Sequence, residues 1–175
     1  MKKILITACA VILSTLQTVK AEEIMTYEYV TMTSDYGTTT MKLLPEYAPV
    51  TVEAFKERVK EGFYDGLFFH RVIPGFVAQG GDPELVGRDR VDYTLPPEFS
   101  REIKHKKGSV AMARTSDPHS ATTQFYVSYG RQSHLDGQYT IFAEVVDGMP
   151  AIDRLEQGDK IVKMEMNPSF VEAAE

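Results

Sequence analysis

From residue 27 to 33 the chain alternates tyrosine, valine and methionine with polar residues, a period of two that predicts a strand with one buried face. Ser34-Asp35-Tyr36-Gly37 follows as a turn, and residues 38–44 resume the alternation, so the pair reads as a β-hairpin. The period then changes. Pro49 suits a first helical position, Val52, Phe55 and Val59 form an apolar stripe at helical spacing, and Gly62 supplies a stop, which places a helix over 49–61. A second helix is expected after Gly148, with Pro150 near its start, Ile152 and Leu155 facing inward and Gly158 past its end. Short apolar runs punctuated by Gly, Pro and Asp read as further strands at 68–73, 76–79, 109–113, 124–128, 139–146 and 160–166. The chain is therefore expected to be mainly β, with eight strands and two helices. Pattern alone leaves a closed barrel and a sandwich both open.

The first 21 residues break this pattern. Met1-Lys2-Lys3 is basic, residues 4–16 are largely apolar, and Val19-Lys20-Ala21 offers small side chains at the −3 and −1 positions of a cleavage site. Together they read as a secretory signal peptide over 1–21, too short in its apolar part for a spanning helix, which needs roughly 20 residues. Ile6-Thr7-Ala8-Cys9 could pass for a lipoprotein box, but little apolar sequence precedes it and the apolar run continues beyond it. Cleavage after Ala21 removes Cys9, the only cysteine, and with it any disulfide or thiol chemistry. It also removes Lys2, Lys3 and Lys20, making a chain of formal charge −6 more acidic still. Such a surface repels phosphate backbones and anionic lipid, so neither nucleic acid nor stable membrane insertion is expected. No linker or repeat divides what remains. Residues 22–26 are a short N-terminal segment, 27–166 a single domain with 43% of the chain hydrophobic, and 167–175 a short acidic tail.

The strongest chemistry lies in residues 68–83, FFHRVIPGFVAQGGDP. Alternation puts Phe69, Arg71 and Ile73 on one face of a strand and Phe68, His70 and Val72 on the other. A proline–glycine turn leads to Phe76 and Val77, then Gln79 and the flexible pair Gly80–Gly81. A guanidinium among apolar rings is costly unless something polar satisfies it, and it stays charged at any relevant pH. Arg71 is thus a candidate for gripping a substrate. No serine, histidine and acid are grouped for nucleophilic attack, and no glycine-rich phosphate cradle appears. His70, His105, His119 and His134 lack metal-ligand spacing, so structural or surface roles are expected for them on chemistry alone, with no metal and no cofactor. A donor that cannot exchange protons suits a reaction that makes and breaks no bond.

The segment 68–83 resembles the signature of the cyclophilins, the cyclosporin-binding family of peptidyl-prolyl cis/trans isomerases. Residues 108–129 (GSVAMARTSDPHSATTQFYVSY) resemble the family's second wall and 134–144 (HLDGQYTIFAE) its third. The resemblance implies a closed eight-stranded antiparallel β-barrel capped by two α-helices. It implies isomerisation of X-Pro bonds without a cofactor, with proline-containing peptides and unfolded exported proteins as partners. It places Arg71 on the catalytic arginine, and Phe76, Val77, Tyr126 and Leu135 on the proline pocket, with Phe125 just before them in the core strand. Gln79 and Gln124 fall on the glutamines that hold substrate backbone and orient the arginine. His70 falls on the histidine before that arginine, Ala113 and Arg114 on the strand along which peptide lies, and Tyr139 on the polar rim. Tyr126 stands where a phenylalanine is usual, so its hydroxyl needs a partner. Val77 replaces a methionine, Arg114 an asparagine, Tyr139 a histidine and His134 a tryptophan that packs against cyclosporin; weak cyclosporin binding is expected. The last three departures resemble bacterial members, which agrees with export, the periplasm being the expected destination and the monomer the expected state. A proline-peptide binding module or chaperone, or a secreted effector on the same scaffold, are the alternatives.

Overall fold

The computed structural model describes residues 27–168. The expected signal peptide (1–21), the segment 22–26 and residues 169–175 of the expected tail lie outside them. Asn167, taken as the start of that tail, is tied to the first strand: its N–H donates to the Tyr29 carbonyl (2.8 Å) and its side-chain amide to Thr31 Oγ1 (2.9 Å).

β1 (Tyr29–Ser34) and β2 (Gly37–Leu43) form the expected hairpin, with Val30 opposite Met41 and Met32 opposite Thr39. α1 (Pro49–Lys60) follows; its buried Val52, Phe55 and Val59 are the stripe seen in the pattern, and Thr51 is buried beside them. Its N-cap, Ala48, offers no side chain to the free N–H groups of the first turn. Glu98 supplies the cap from a distant loop, its two carboxylate oxygens accepting from Val50 N (2.9 Å) and Thr51 N (2.8 Å). A carboxylate there also meets the positive end of the helix dipole.

The remaining strands are β3 (Arg71–Ile73), β4 (Val77–Gly80), β5 (Ser109–Met112), β6 (Phe125–Ser128), β7 (Ile141–Asp147) and β8 (Lys163–Met166). All pairings are antiparallel, in the order β3-β4-β6-β5-β7-β2-β1-β8. The barrel expected to be closed is a curled open sheet: no ladder joins the edge strands β3 and β8. The seam holds one isolated bridge, between Phe68 and Lys160. Backbone bonds lace it from Gly66 N to Ile161 O (2.7 Å), Ile161 N to Leu67 O (2.8 Å), Phe69 N to Asp159 O (2.8 Å) and Gly158 N to Phe69 O (2.9 Å).

The seam accounts for three departures from pattern. The strand expected over 68–73 is regular only at Arg71–Ile73, because Phe69 turns its backbone to the seam. Phe69 is consequently buried, whereas Arg71 and Ile73, expected on its face, are exposed. The second helix, α2 (Met149–Ile152), is one turn only. Beyond it the chain must bring Gly158 and Asp159 to Phe69, although Leu155 still reaches the core.

Alternation along β4, β5 and β6 sends side chains into two separate apolar clusters. Ala78, Val110, Met112, Phe125 and Val127 join the main core with Phe55, Tyr64, Phe69 and Phe142. Val77, Ala111 and Tyr126 point to the opposite face and pack with Leu44, Leu135 and Ile141, with Phe76, Ala113 and Tyr139 at the edge. This second cluster is the foundation of the site.

Gly80 and Gly81, expected as a flexible pair, are both buried and closely approached. A Cβ on Gly80 would sit 2.8 Å from the Phe68 carbonyl oxygen, and one on Gly81, at φ +87°, 2.7 Å from that of Thr123. Close backbone contact is their reason for being glycine. Gly81→Ala should therefore lower folding stability by about 2 kcal/mol or more, through strain and displacement of the Thr123 strand entry. A urea titration should show a lower midpoint at unchanged slope; an unshifted midpoint would contradict this account.

Candidate active site

On the outer cluster lies a hollow of about 200 Å³ lined by Arg71, Phe76, Val77, Gln79, Ala113, Arg114, Tyr126, Leu135 and Tyr139. The pairings bring them together: Arg71 is opposite Gln79, Gln79 opposite Tyr126, and Tyr126 opposite Ala111. Val77, Tyr126 and Leu135 are buried, Phe76 is half-buried and Arg71 is exposed at the lip. An apolar floor thus meets a rim that carries two guanidiniums, those of Arg71 and Arg114. The Arg71 guanidinium also lies 5.5 Å from the centre of the Phe76 ring, an attractive placement for a cation over a π face.

A polar relay sets the orientation of the Arg71 side of this rim. Asp82 Oδ1 accepts the Glu84 N–H (3.1 Å), which fixes the carboxylate. Its Oδ2 can only accept, so the Gln124 amide turns its nitrogen to it (2.8 Å). Gln124 then presents its oxygen, which accepts from Gln79 Nε2 (3.0 Å). Gln79 in turn presents its own oxygen to Arg71 Nη1, in a long contact of 3.5 Å. Two amides, each ambiguous alone, are ordered end to end by one carboxylate.

Gln124 lies in an adjoining hollow of about 170 Å³ that shares Gln79, Ala113 and Arg114 with the first. Arg114 forms the wall between them. Its guanidinium donates to the Gln138 carbonyl (3.0 and 3.2 Å) and the Thr115 carbonyl (2.8 Å), and lies 4.6 Å from the Tyr139 ring centre and 5.6 Å from that of Phe99. Ala113 and Arg114 follow the end of β5, where Ala113 N donates to Gln124 O (2.9 Å).

Three residues expected at the site stand elsewhere. Phe125 is wholly buried in the main core, because it alternates with Tyr126, and its ring packs edge-on against Phe55, Tyr64 and Phe69. His70 is outside the hollow's lining and its Nδ1 is buried without a hydrogen-bond partner. His134 is exposed, lies outside the hollow's lining and stacks on the Phe76 ring, with centroids 5.6 Å apart. Among the described residues no cluster of His, Cys, Asp and Glu is arranged to hold a metal ion.

The family described as "Cyclophilin type peptidyl-prolyl cis-trans isomerase/CLD" matches residues 29–172. The chain belongs to the cyclophilins. It is a peptidyl-prolyl cis-trans isomerase, an enzyme. A probable peptidyl-prolyl cis-trans isomerase of Brucella suis is 40% identical over 136 residues, covering 71% of this chain and 69% of its own. A peptidyl-prolyl cis-trans isomerase of Helicobacter pylori is 36% identical over 155 residues, covering 87% and 95%. The crystal structure of cyclophilin AquaCyp293 from Hirschia baltica matches with a TM-score of 0.74 at 25% identity, over 82% of this chain and 75% of that one.

Sequence reasoning missed Asp82, which orders the glutamines, and the polar group beneath the cyclophilin hollow. There the Tyr126 hydroxyl is 2.9 Å from His105 Nε2, His105 Nδ1 is 3.1 Å from Asp136 Oδ1, and Arg131 pairs with Asp136 Oδ2. The need of the Tyr126 hydroxyl for a partner was legible; the partner was not. Burial pushes His105 below the ordinary histidine value, against the pull of Asp136. The Arg131 guanidinium, followed by the His105 N–H and ring, holds Asp136 well below the usual carboxylate range. Burial pushes the Tyr126 phenol up.

These shifts set a direction for acid stability. A depressed folded-state value means that the unfolded chain takes up a proton which the folded one refuses, so stability is lost as pH falls. For His105 the loss begins near pH 6.5, and for Asp136 below about pH 4. The unfolding temperature should hold level above about pH 7 and decline from about pH 6.5 downward. His105→Gln should flatten the upper part of that decline and leave the carboxylate part. Parallel melting curves for both proteins across pH 5–7 would contradict the assignment.

Proposed function

We propose that Arg71 is the residue that lowers the rotation barrier, that the Phe76–Tyr126–Leu135 hollow seats the proline ring, and that the enzyme acts on exported proteins as they fold. The observation that carries this reading is the guanidinium held at the lip of an apolar hollow, set by Gln79 on one side and by the Phe76 ring on the other.

The reaction moves no atoms between molecules. Its barrier of about 18–20 kcal/mol is the resonance that keeps the amide planar, and uncatalysed exchange takes tens of seconds or longer. Millisecond turnover requires about 10⁴-fold acceleration, or about 5.5 kcal/mol. That stabilisation must favour the twisted amide over both planar forms. As the C–N bond twists, the nitrogen lone pair leaves resonance and becomes an acceptor. A charged donor at that point contributes about 1.5–3 kcal/mol. Phe76, Val77, Tyr126 and Leu135 hold the pyrrolidine while the preceding carbonyl rotates, and Gln79, Gln124 and Ala113 engage peptide backbone beside it. The Asp82-ordered relay holds Gln79 and Arg71 in place before substrate arrives, which spares the cost of ordering them in the transition state.

The basic, apolar and small-residue order of residues 1–21 supports export to the periplasm, where a cysteine-free mature chain suits oxidising conditions. Folding proteins there present many X-Pro bonds in the wrong isomer. His134 supports a weak drug site, since an imidazole offers less apolar area than an indole.

Arg71→Ala should lower kcat/KM by about 10²-fold or more, equivalent to about 2.7 kcal/mol, with the fold intact. Arg71→Lys should recover only part, because an ammonium lacks the planar fork. A proline-peptide assay decides this; full activity in the alanine variant refutes the role. Intact mass of exported protein should show a chain beginning at Glu22, and a lipid-modified start at Cys9 would overturn both cleavage after Ala21 and the soluble assignment. Cyclosporin titration should show weak inhibition that His134→Trp strengthens; tight inhibition of the native enzyme would remove His134 from the drug site.

A further inference from the structure

Tyr126 forms the floor of the hollow yet turns its polar end away from it. Its hydroxyl lies 2.9 Å from His105 Nε2, and the two rings stack with centroids 6.0 Å apart and planes 12° from parallel. His105 is wholly buried. On its far side Asp136 Oδ1 lies 3.1 Å from the ring Nδ1 and accepts the His105 backbone N–H (2.9 Å). Arg131 closes the group, donating to Asp136 Oδ2 and to the His105 carbonyl (3.0 Å). A carboxylate paired with arginine can only accept, so the imidazole carries its proton on Nδ1. Nε2 is then a lone pair, and the tyrosine must donate to it.

We propose that His105 is a positioning residue of this isomerase: its Nε2 lone pair holds the Tyr126 hydroxyl out of the proline pocket, so that proline meets only the apolar edge of the ring. The proposal rests on the reading of the hollow as the proline pocket. A pyrrolidine ring offers a phenol no hydrogen bond. A hydroxyl released into the hollow would therefore keep water there or remain unsatisfied, and either opposes proline entry. The same group steadies the facing wall, since Asp136 directly follows Leu135 and accepts in place from both His105 and Arg131. Its effect belongs to substrate seating, whereas the Asp82 relay serves the arginine.

The test is a double-mutant cycle read in KM and kcat. Asn at position 105 can mimic Nδ1 but not reach Tyr126, while Gln can bring an amide oxygen to the place of Nε2. His105→Asn should raise KM about tenfold with kcat largely retained, and His105→Gln should keep KM within about twofold of native. In the Tyr126→Phe background, His105→Asn should add no further KM penalty, because no hydroxyl remains to misplace. Equal penalties in both backgrounds, or none in either, would overturn the proposal. The native enzyme gives a second measurement that needs no variant to fold. Imidazole ¹⁵N shifts should report a neutral His105 protonated at Nδ1, and the Nε2–H tautomer would overturn the proposal. Phe76→Ala in the same assay separates the two readings. It should raise KM; an unchanged KM would show that the hollow does not seat proline and would take the proposal down with it.

Discussion

A strand carries its side chains to its two faces in turn, and in β4, β5 and β6 both faces are buried. Phe125 goes to the main core while its neighbour Tyr126 goes to the outer cluster, and Ala78 and Val77 divide in the same way. The hollow therefore rests directly on strands whose other side is locked into the core by Phe55, Tyr64, Phe69 and Phe142. A site built on such a base is held by the packing of the whole domain and not by loops alone. The cost is that no residue of β6 is free to change without disturbing either core or pocket.

Polar order around the hollow comes from two carboxylates. Asp82 and Asp136 can only accept hydrogen bonds, and each imposes a direction on the groups beyond it. From Asp82 the direction runs through Gln124 and Gln79 to Arg71. From Asp136 it runs through His105 to Tyr126. One line presents an acceptor to the arginine at the lip; the other draws a donor away from the floor. A charge thereby stands at the lip of the hollow, and a hydroxyl is kept off its apolar floor.

The curled sheet brings these lines together without full closure. Its edges meet at the bridge between Phe68 and Lys160, at the backbone bonds beside it and where Met164 N donates to Asp65 Oδ1, with Arg71 beginning the strand just beyond. The arginine thus stands at the point where regular pairing resumes, exposed to solvent yet anchored through its ladder with Gln79.

The hairpin, α1 and the lining positions Arg71, Phe76, Val77, Gln79, Ala113, Arg114, Tyr126, Leu135 and Tyr139 were legible in the sequence, the elements from hydrophobic period and the site from three ordered motifs. Period reports which face of an element is buried, and motifs report residues that act together, so both survive without coordinates. The core placement of Phe125 follows from its alternation with Tyr126, whereas the depth of Phe69 follows only once the irregular stretch at 69–70 is known. Asp82, His105, Asp136 and the capping role of Glu98 were not legible, and neither was the open seam. Each depends on which distant segment comes within 3 Å of a given polar atom, and short-range pattern carries no such information. The sequence by itself determined most of the elements, the family and the residues that line the hollow. Only the tertiary structure decided how those residues are oriented, because a hydrogen bond is chosen by distance and direction across the fold and not by position along the chain.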